Sequence, residues 1–359
     1  MKLSRLDFVF CHVIIFNSTL PEPEIHIEIT VIPYEAYRHK DVWDAFVLGS
    51  MNGTVFHTQQ FLAYHNEGKF HFDHLLFYKE KRLVAVLAGG LKENGKIYDS
   101  PLGASYGSFV TEDISADTAL AIVAAFEKHI EANGVKEVYL TSAPVIYQPI
   151  LTQNLDFALL YKGFAYQRHY ISHAIELRVG EIPFNRFQPK ARNYIRRITR
   201  DHPEINIEEV AKENMFRGLQ EFYPILLENK AKFNAKPTHT LEELLQLHKL
   251  LPDLLKLFLV RVNNEPIAGS LLFIANPRVA IIFYHMLRYN FDEYRPIYLL
   301  MDKVTRWAQD NNFSFVDIGV SQDTHDENPM TPALSLIRFK EKFDSRGVLR
   351  STMWKFYKS

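Results

Sequence analysis

Three ionisable side chains in the C-terminal half stand among apolar neighbours. Lys340 lies in Phe339-Lys340-Glu341-Lys342-Phe343, Asp317 in the run Phe315–Ile318, and His285 directly after Phe283-Tyr284. A positioned ammonium stabilises the oxyanion that develops when a carbonyl is attacked. A carboxylate inside an apolar strand is costly unless hydrogen-bonded, so Asp317 reads as a loop-orienting group or as a base. Histidine has the unperturbed pKa that suits general-base work near neutrality. Each has a plain structural alternative: a solvated lysine beside core phenylalanines, a structural carboxylate, a satisfied core histidine.

Two further patterns suit anions. Tyr294-Arg295-Pro296-Ile297-Tyr298 opens a helical stretch, with proline where the first turn needs no backbone N–H. A helix N-terminus offers unpaired N–H groups and partial positive charge to a pyrophosphate, and Arg295 would add a charge-assisted bond. The alternative is a loop that only caps a helix. The basic stretch Lys190–Arg200 places Arg192, Arg196 and Arg200 at i, i+4 and i+8. That spacing puts them on one helical face. With Lys190 it would take a phosphate or another anion; the alternative is a solvated face paired with acids.

The N-terminal half carries His57, His65, His71 and His74, but no His-Glu-x-x-His or similar paired spacing, so no metal site is expected. Tyr64 and His65, with Tyr106 of the Ser/Gly-rich loop Ser100–Ser108, are candidates for lining a substrate pocket. The same segments also read as a half-buried helix and a plain turn. No Gly-x-Ser-x-Gly elbow or phosphate loop occurs, which argues against nucleophilic serine chemistry.

The elements that must position these residues occur twice. Residues 74–78 and 83–87 form an apolar–turn–apolar hairpin pattern, followed by a strand at Lys96-Ile97-Tyr98, the loop 100–108, a helix Asp117–Ala132 ended by Asn133-Gly134, and a strand at 137–140. The second half repeats the order: a hairpin around Asn263-Asn264, a strand Val279–Tyr284, a polar loop Arg288–Arg295, a helix Ile297–Asp310, and a strand Ser314–Ile318. Between the copies, Thr240 and Glu243 have capping-box spacing at the start of a helix. The spacing predicts two units, 25–180 and 181–359, the second opening with a helical segment, behind a tail at 1–24.

Composition is that of a globular chain: 359 residues, 47% hydrophobic and 23% charged. A net charge of -1 gives no basic excess for DNA binding. Cys11 is the only cysteine, which excludes an internal disulfide or a thiolate zinc site and agrees with a reducing, cytoplasmic setting. The apolar run Phe8–Phe16 is too short to span a bilayer.

The hairpin–strand–loop–helix–strand order resembles the core of the GNAT acyltransferase fold. Two copies, with a basic segment opening the second, resemble the Fem-type family: peptidoglycan-bridge aminoacyltransferases and their acyl-CoA-using relatives. The resemblance runs from about residue 25 to the end and is carried by the order of Lys190–Arg196, Glu265-Pro266-Ile267-Ala268-Gly269, Tyr294–Leu300, Phe315–Gly319 and Arg338–Phe343. It implies an α/β fold of two tandem GNAT domains with mixed sheets, related by duplication. It implies acyl-CoA, such as acetyl-CoA, as co-substrate at Tyr294–Tyr298, and Lys340 at the oxyanion. The acceptor would be an amine on a small molecule or on a cell-envelope or polysaccharide precursor.

The chain departs from the pattern twice. Neither copy has a clean Q/R-x-x-G-x-G/A loop, and no long helical-arm insertion of the kind linked to charged tRNA is present. The second departure disfavours charged tRNA as partner. Aminoacyl-tRNA-dependent transfer to a peptidoglycan precursor stays as the alternative, followed by a non-catalytic ligand-binding pair. Peripheral membrane contact stays open.

Overall fold

A computed structural model describes residues 27–323 and 326–358. The expected tail 1–24, with Cys11 and the run Phe8–Phe16, lies outside the described residues. The first copy runs β1 (Ile29–Pro33), α1 (Ala36–Gly49), α2 (Gln59–Leu62), β2 (His71–Phe72), β3 (Leu75–Lys79), β4 (Arg82–Leu87), β5 (Gly90–Lys92), β6 (Ile97–Ser100), β7 (Phe109–Thr111), α3 (Ala116–Ala132), β8 (Glu137–Thr141), α4 (Asn154–Tyr161) and β9 (Ala165–Glu176). Two helices, α5 (Pro183–Arg186) and α6 (Pro189–Asp201), lead into the second copy. It runs β10 (Ile205–Glu209), α7 (Met215–Ala231), α8 (Leu241–Leu250), β11 (Leu255–Val262), β12 (Glu265–Asn276), β13 (Val279–Leu287), α9 (Pro296–Asp310), β14 (Phe315–Val320), α10 (Leu334–Lys340) and β15 (Arg346–Phe356).

Local chemistry sets the punctuation. The Ser115 hydroxyl accepts from Thr118 N to start α3, and Gly134 follows that helix at φ 67°. Thr240 and Glu243 close the expected capping box on α8. Asn263 and Asn264, at φ 48° and 70°, form the tight turn between β11 and β12; asparagine tolerates that left-handed region. Leu300, Met301, Val304 and Ala308 of α9 pack on Phe258, Leu272 and Ile282 of the sheet. In the first copy Ile122, Val123, Phe126 and Ile130 of α3 pack on Leu75, Phe77 and Phe109.

The first copy departs from the expected hairpin-plus-third-strand. The strand at Ile97–Ser100 does not pair with the hairpin; it joins β5 and β8, and β7 pairs with β4 instead. The break between β4 and β5 falls at Ala88-Gly89, where the buried Tyr98 ring lies so close to Gly89 that a Cβ there would sit 2.5 Å from its hydroxyl. Among the described residues the strands therefore form a four-stranded sheet, β1-β3-β4-β7, and an eleven-stranded one, β10-β11-β12-β13-β14-β9-β15-β8-β6-β5-β2.

That long sheet crosses from copy to copy by exchange of the last strands. β9 of the first copy pairs antiparallel with β14 of the second, and β15 of the second with β8 of the first. β9 and β15, each the other's counterpart, pair antiparallel along their length, with Tyr170 opposite Arg350 near the middle. The loop holding residues 180 and 181 separates the copies in sequence, while the sheet continues past it. Met353 and Tyr357 from the C-terminal end complete the first copy's core.

Asp317 locks the exchange. It is fully buried on β14. Its Oδ2 accepts from the hydroxyls of Tyr106 (3.1 Å) and Tyr147 (2.8 Å), and its Oδ1 from Ser172 Oγ (2.8 Å) and Gly319 N (2.8 Å). Three of these four donors belong to the first copy. Hydrogen bonds to a charged group are worth about 1.5–3 kcal/mol, and a buried carboxylate is tolerated because all its acceptor sites are used.

Two outcomes follow. Residues 27–180 alone lack β15 and two core side chains, so circular dichroism and size exclusion should find them unfolded or aggregated, while the full chain unfolds in a single urea transition. Asp317→Ala strands three buried hydroxyls and should lower unfolding free energy by at least ~3 kcal/mol in urea titrations, Tyr147→Phe by about 1–2 kcal/mol.

Candidate active site

The second copy opens where its sheet splays. β13 and β14 are parallel neighbours paired only from Val279–Ile281 to Phe315–Asp317. Beyond that register the strands part, leaving a cavity of about 920 Å³. Its walls are the ends of β13 and β14, the first turn of α9, α10, and from the first copy the loop residues Ala104–Tyr106.

Lys340 ends α10 at the floor of this cavity, with only 7% of its surface exposed. Its Nζ donates to the carbonyl oxygens of Gly319 (2.7 Å) and Val320 (3.0 Å). Those carbonyls are aimed by Gly319 at φ 73°, a turn held by its N–H on Asp317. Burial pulls the ammonium down to about 8, against the charge of Asp317, which pulls it back up. Two of the three N–H donors of the ammonium are used, leaving one for the cavity.

His285 lines the same cavity from β13. Its Nδ1 shares a short hydrogen bond with Ser270 Oγ, while its Nε2 is buried and makes no hydrogen bond of normal geometry. Burial lowers its pKa to about 4, so the ring is neutral at pH 7. Of the two readings of Asp317, base and loop-orienting group, its geometry fits the second: all its lone pairs are occupied, and it stands as a positioning group behind Gly319.

The stretch expected to hold a pyrophosphate divides. Arg295, Ile297 and Tyr298 line the cavity. Tyr294 instead packs on the rings of His202 and Phe291, and Pro296 is buried under the first turn of α9. Arg295 sits at φ 45° as the residue before α9, and its guanidinium bonds Asp292 (2.7 Å).

Of the basic face on α6, Arg192 is partly buried and reaches Asn185 O (3.3 Å), Arg196 lies over the Phe184 ring, and Arg200 bonds Asp201. None lines the cavity, because that face packs towards α5. The opposite side of α6 matters more. Lys190, Arg197 and Arg295 surround the Tyr194 ring at 5.9, 5.5 and 5.8 Å, and Tyr194 meets Tyr298 edge-on at 5.4 Å. Lys342 donates to the Tyr298 hydroxyl (3.2 Å). Lys190, Arg197 and Lys342 make no ion pair among the described residues. Sequence reasoning passed over Tyr194, Arg197 and Lys342; the spacing of Lys190, Tyr194 and Arg197 on one side of a helix was the available signal.

The first-copy candidates are mostly core. Tyr64 is buried against Phe61 and His239, and His65 bonds Gly103 O (2.6 Å); neither lines the cavity, because α2 packs against α8 and the segment before it. Tyr106 does line it, but its hydroxyl is committed to Asp317. His57 and His74 are buried and held at about 4 by burial, and His57 bridges Thr54 and Gly107 O. Among the described residues no group of three or more His, Cys, Asp or Glu side chains could hold a metal ion, and no helix is long and apolar enough to cross a membrane.

Residues 185–327 match the family model of the acetyltransferase (GNAT) domain. Across nearly the whole chain the fold is similar to that of FemX, with TM-score 0.66 at 11% identity over 91% of this chain and 97% of that one. It is also similar to the C-terminal domain of a putative lysylphosphatidylglycerol synthetase from Agrobacterium fabrum, with TM-score 0.55, 11% identity, and 89% and 92% covered. A tandem GNAT protein from the clavulanic acid biosynthesis pathway gives TM-score 0.51 at 8% identity, with 92% and 100% covered. At such identities the likeness is one of fold. No curated protein sequence matches the chain. Residues 185–327 thus carry the match to the acetyltransferase (GNAT) domain, and the chain as a whole has a mixed α/β fold similar to that of FemX and of a tandem GNAT protein.

Proposed function

We propose that the chain moves an acyl group from acyl-CoA to an amine on a small molecule or on a cell-envelope or polysaccharide precursor, in the second-copy cavity. The observation that carries this reading is that the buried ammonium of Lys340 and the N-terminus of α9 open on one cavity. Residues 181–359 then hold the donor and the chemistry, and residues 25–180 supply the wall at Ala104–Tyr106. With acyl-CoA as donor the reaction belongs in the cytoplasm.

The amine nitrogen attacks the thioester carbonyl, and a C–N bond forms as negative charge gathers on the carbonyl oxygen. Lys340 directs its remaining N–H at that oxygen, in a site where burial strengthens the interaction. The C–S bond then breaks and the thiolate takes up the proton that the amine gives up. His285, neutral at pH 7 and held through Nδ1 on Ser270, lines the cavity wall along which the amine approaches. Arg295 and the first turn of α9 face the donor's phosphates.

The cations around Tyr194 favour a second reading. Lys190, Arg197 and Lys342 make no ion pair among the described residues, stand near the Tyr194 and Tyr298 rings, and would suit a charged tRNA. A tRNA donor predicts binding that weakens steeply with salt, because contacts to several phosphates release counterions; CoA predicts a shallow dependence.

Lys340→Met keeps the stem and removes the charge. Turnover should fall about a hundredfold, with CoA affinity unchanged; equal turnover where chemistry limits the rate removes Lys340 from the mechanism. Because its folded pKa lies below the unfolded value, the penalty for holding this charge is fully present below about pH 8 and is relieved as pH rises towards 10.5. The melting temperature of Lys340→Met at pH 7 should therefore not drop. An oxyanion role needs the protonated form, so turnover should fall as pH rises through about 8, whereas a general-base role would make it rise. Arg295→Ala should weaken CoA binding roughly fivefold by calorimetry.

A further inference from the structure

Duplication places a second cavity, of about 480 Å³, at the corresponding corner of the first copy. There the end of β7, the end of β8 and α4 stand where β13, β14 and α10 stand around Lys340. The two cavities carry opposite charge. Lys230, Arg295, Lys340 and Arg350 line the second-copy cavity, against one acid, Asp292. Among the described residues no lysine or arginine lines the first-copy cavity, whose acids are Glu112 and Asp156.

Glu112 is neutralised by Arg82 (2.7 Å). Asp156 makes no ion pair among the described residues. It sits in the first turn of α4, partly buried, and burial lifts its carboxyl above the usual range. Such a group is relieved by a cation brought beside it. Its carboxyl hydrogen-bonds Gln153, and the same cavity is lined by Tyr147, Tyr166 and His169, with Leu159, Val348 and Met353 as apolar wall. Tyrosine faces hold cations as well as apolar groups. A CoA pyrophosphate finds no counter-charge in this cavity.

We propose that the first-copy cavity binds a small organic cation, a primary amine with an apolar body, whose ammonium pairs with Asp156. The duplicated slot keeps its shape and has changed ligand through its charge. Tyr147 links this site to the other: it lines the first-copy cavity while its hydroxyl holds Asp317, behind the carbonyls that grip Lys340.

Calorimetry on the full chain with tryptamine, tryptophol and indoleacetate tests this without requiring any transfer reaction. These probes share an indole body and differ in the charge of the tail. Tryptamine should bind at least tenfold more tightly than tryptophol, with indoleacetate weakest. Asp156→Asn, near-isosteric and on the surface of α4, should bring tryptamine down to the affinity of tryptophol. Ser142→Trp, which fills the cavity, should abolish binding at an unchanged melting temperature. Should Ser142→Trp melt early, competition between tryptamine and tryptophol on the parent replaces it, with mutual displacement expected. Equal affinities for amine and alcohol, no binding of tryptamine, an unchanged tryptamine affinity in Asp156→Asn, binding that survives the filled cavity, or failure of the two probes to compete would each overturn the proposal.

Discussion

The carboxylate of Asp317 is the constraint on which the rest of the molecule depends. It is a carboxyl group with no exposed surface, and its four hydrogen bonds come from four separate places in the chain. A buried carboxylate without those donors would cost more than the site could bear. The loop carrying Tyr106, the turn carrying Tyr147, the strand carrying Ser172 and the bend at Gly319 must therefore all be in place together. One of the four bonds sets the direction of the Gly319 carbonyl, and that carbonyl is half of what holds Lys340. The stability of the joint between copies and the aim of the proposed catalytic ammonium rest on the same side chain.

Strand exchange makes that joint part of one sheet. Two domains tethered by a linker would share a modest polar interface and move relative to one another. Here β9 and β15 pair with each other and each with the other copy, so the hydrogen-bond ladder is continuous across the junction. The cavity at Lys340 then has walls from both copies in fixed register, Tyr106 from one and the splayed ends of β13 and β14 from the other. A positioned donor contributes to rate only while its geometry is held.

The two copies show how one architecture acquires two chemistries. The corner beyond the splayed strands is hollow in both. One corner is lined with lysines and arginines, the other with neutral and acidic side chains. Changing the charge of a lining needs a few substitutions at positions that already face a cavity, without altering the core that shapes it.

Much of this was legible in the sequence. The order of elements, the helix starting at Pro296, the capping box at Thr240 and the hairpin turn at Asn263-Asn264 follow from local periodicity and turn chemistry, which act over a few residues. Lys340 and His285 were visible as ionisable groups in apolar runs, and the structure brings both to one cavity. Other features depended on contacts between distant segments. Arg192 and Arg196 have the spacing of an anion-binding face, yet which side of α6 faces α9 is decided by packing against α5 and α9. Tyr64 and His65 have the look of pocket residues but are covered by a segment far along the chain. The break at Gly89 needs the ring of Tyr98, the pairing of β9 with β15 joins the middle of the chain to its last strand, and the donors to Asp317 come from four segments. Periodicity records which face of an element is apolar; which partner covers that face, and which charges end up sharing a cavity, is settled only when the chain closes on itself.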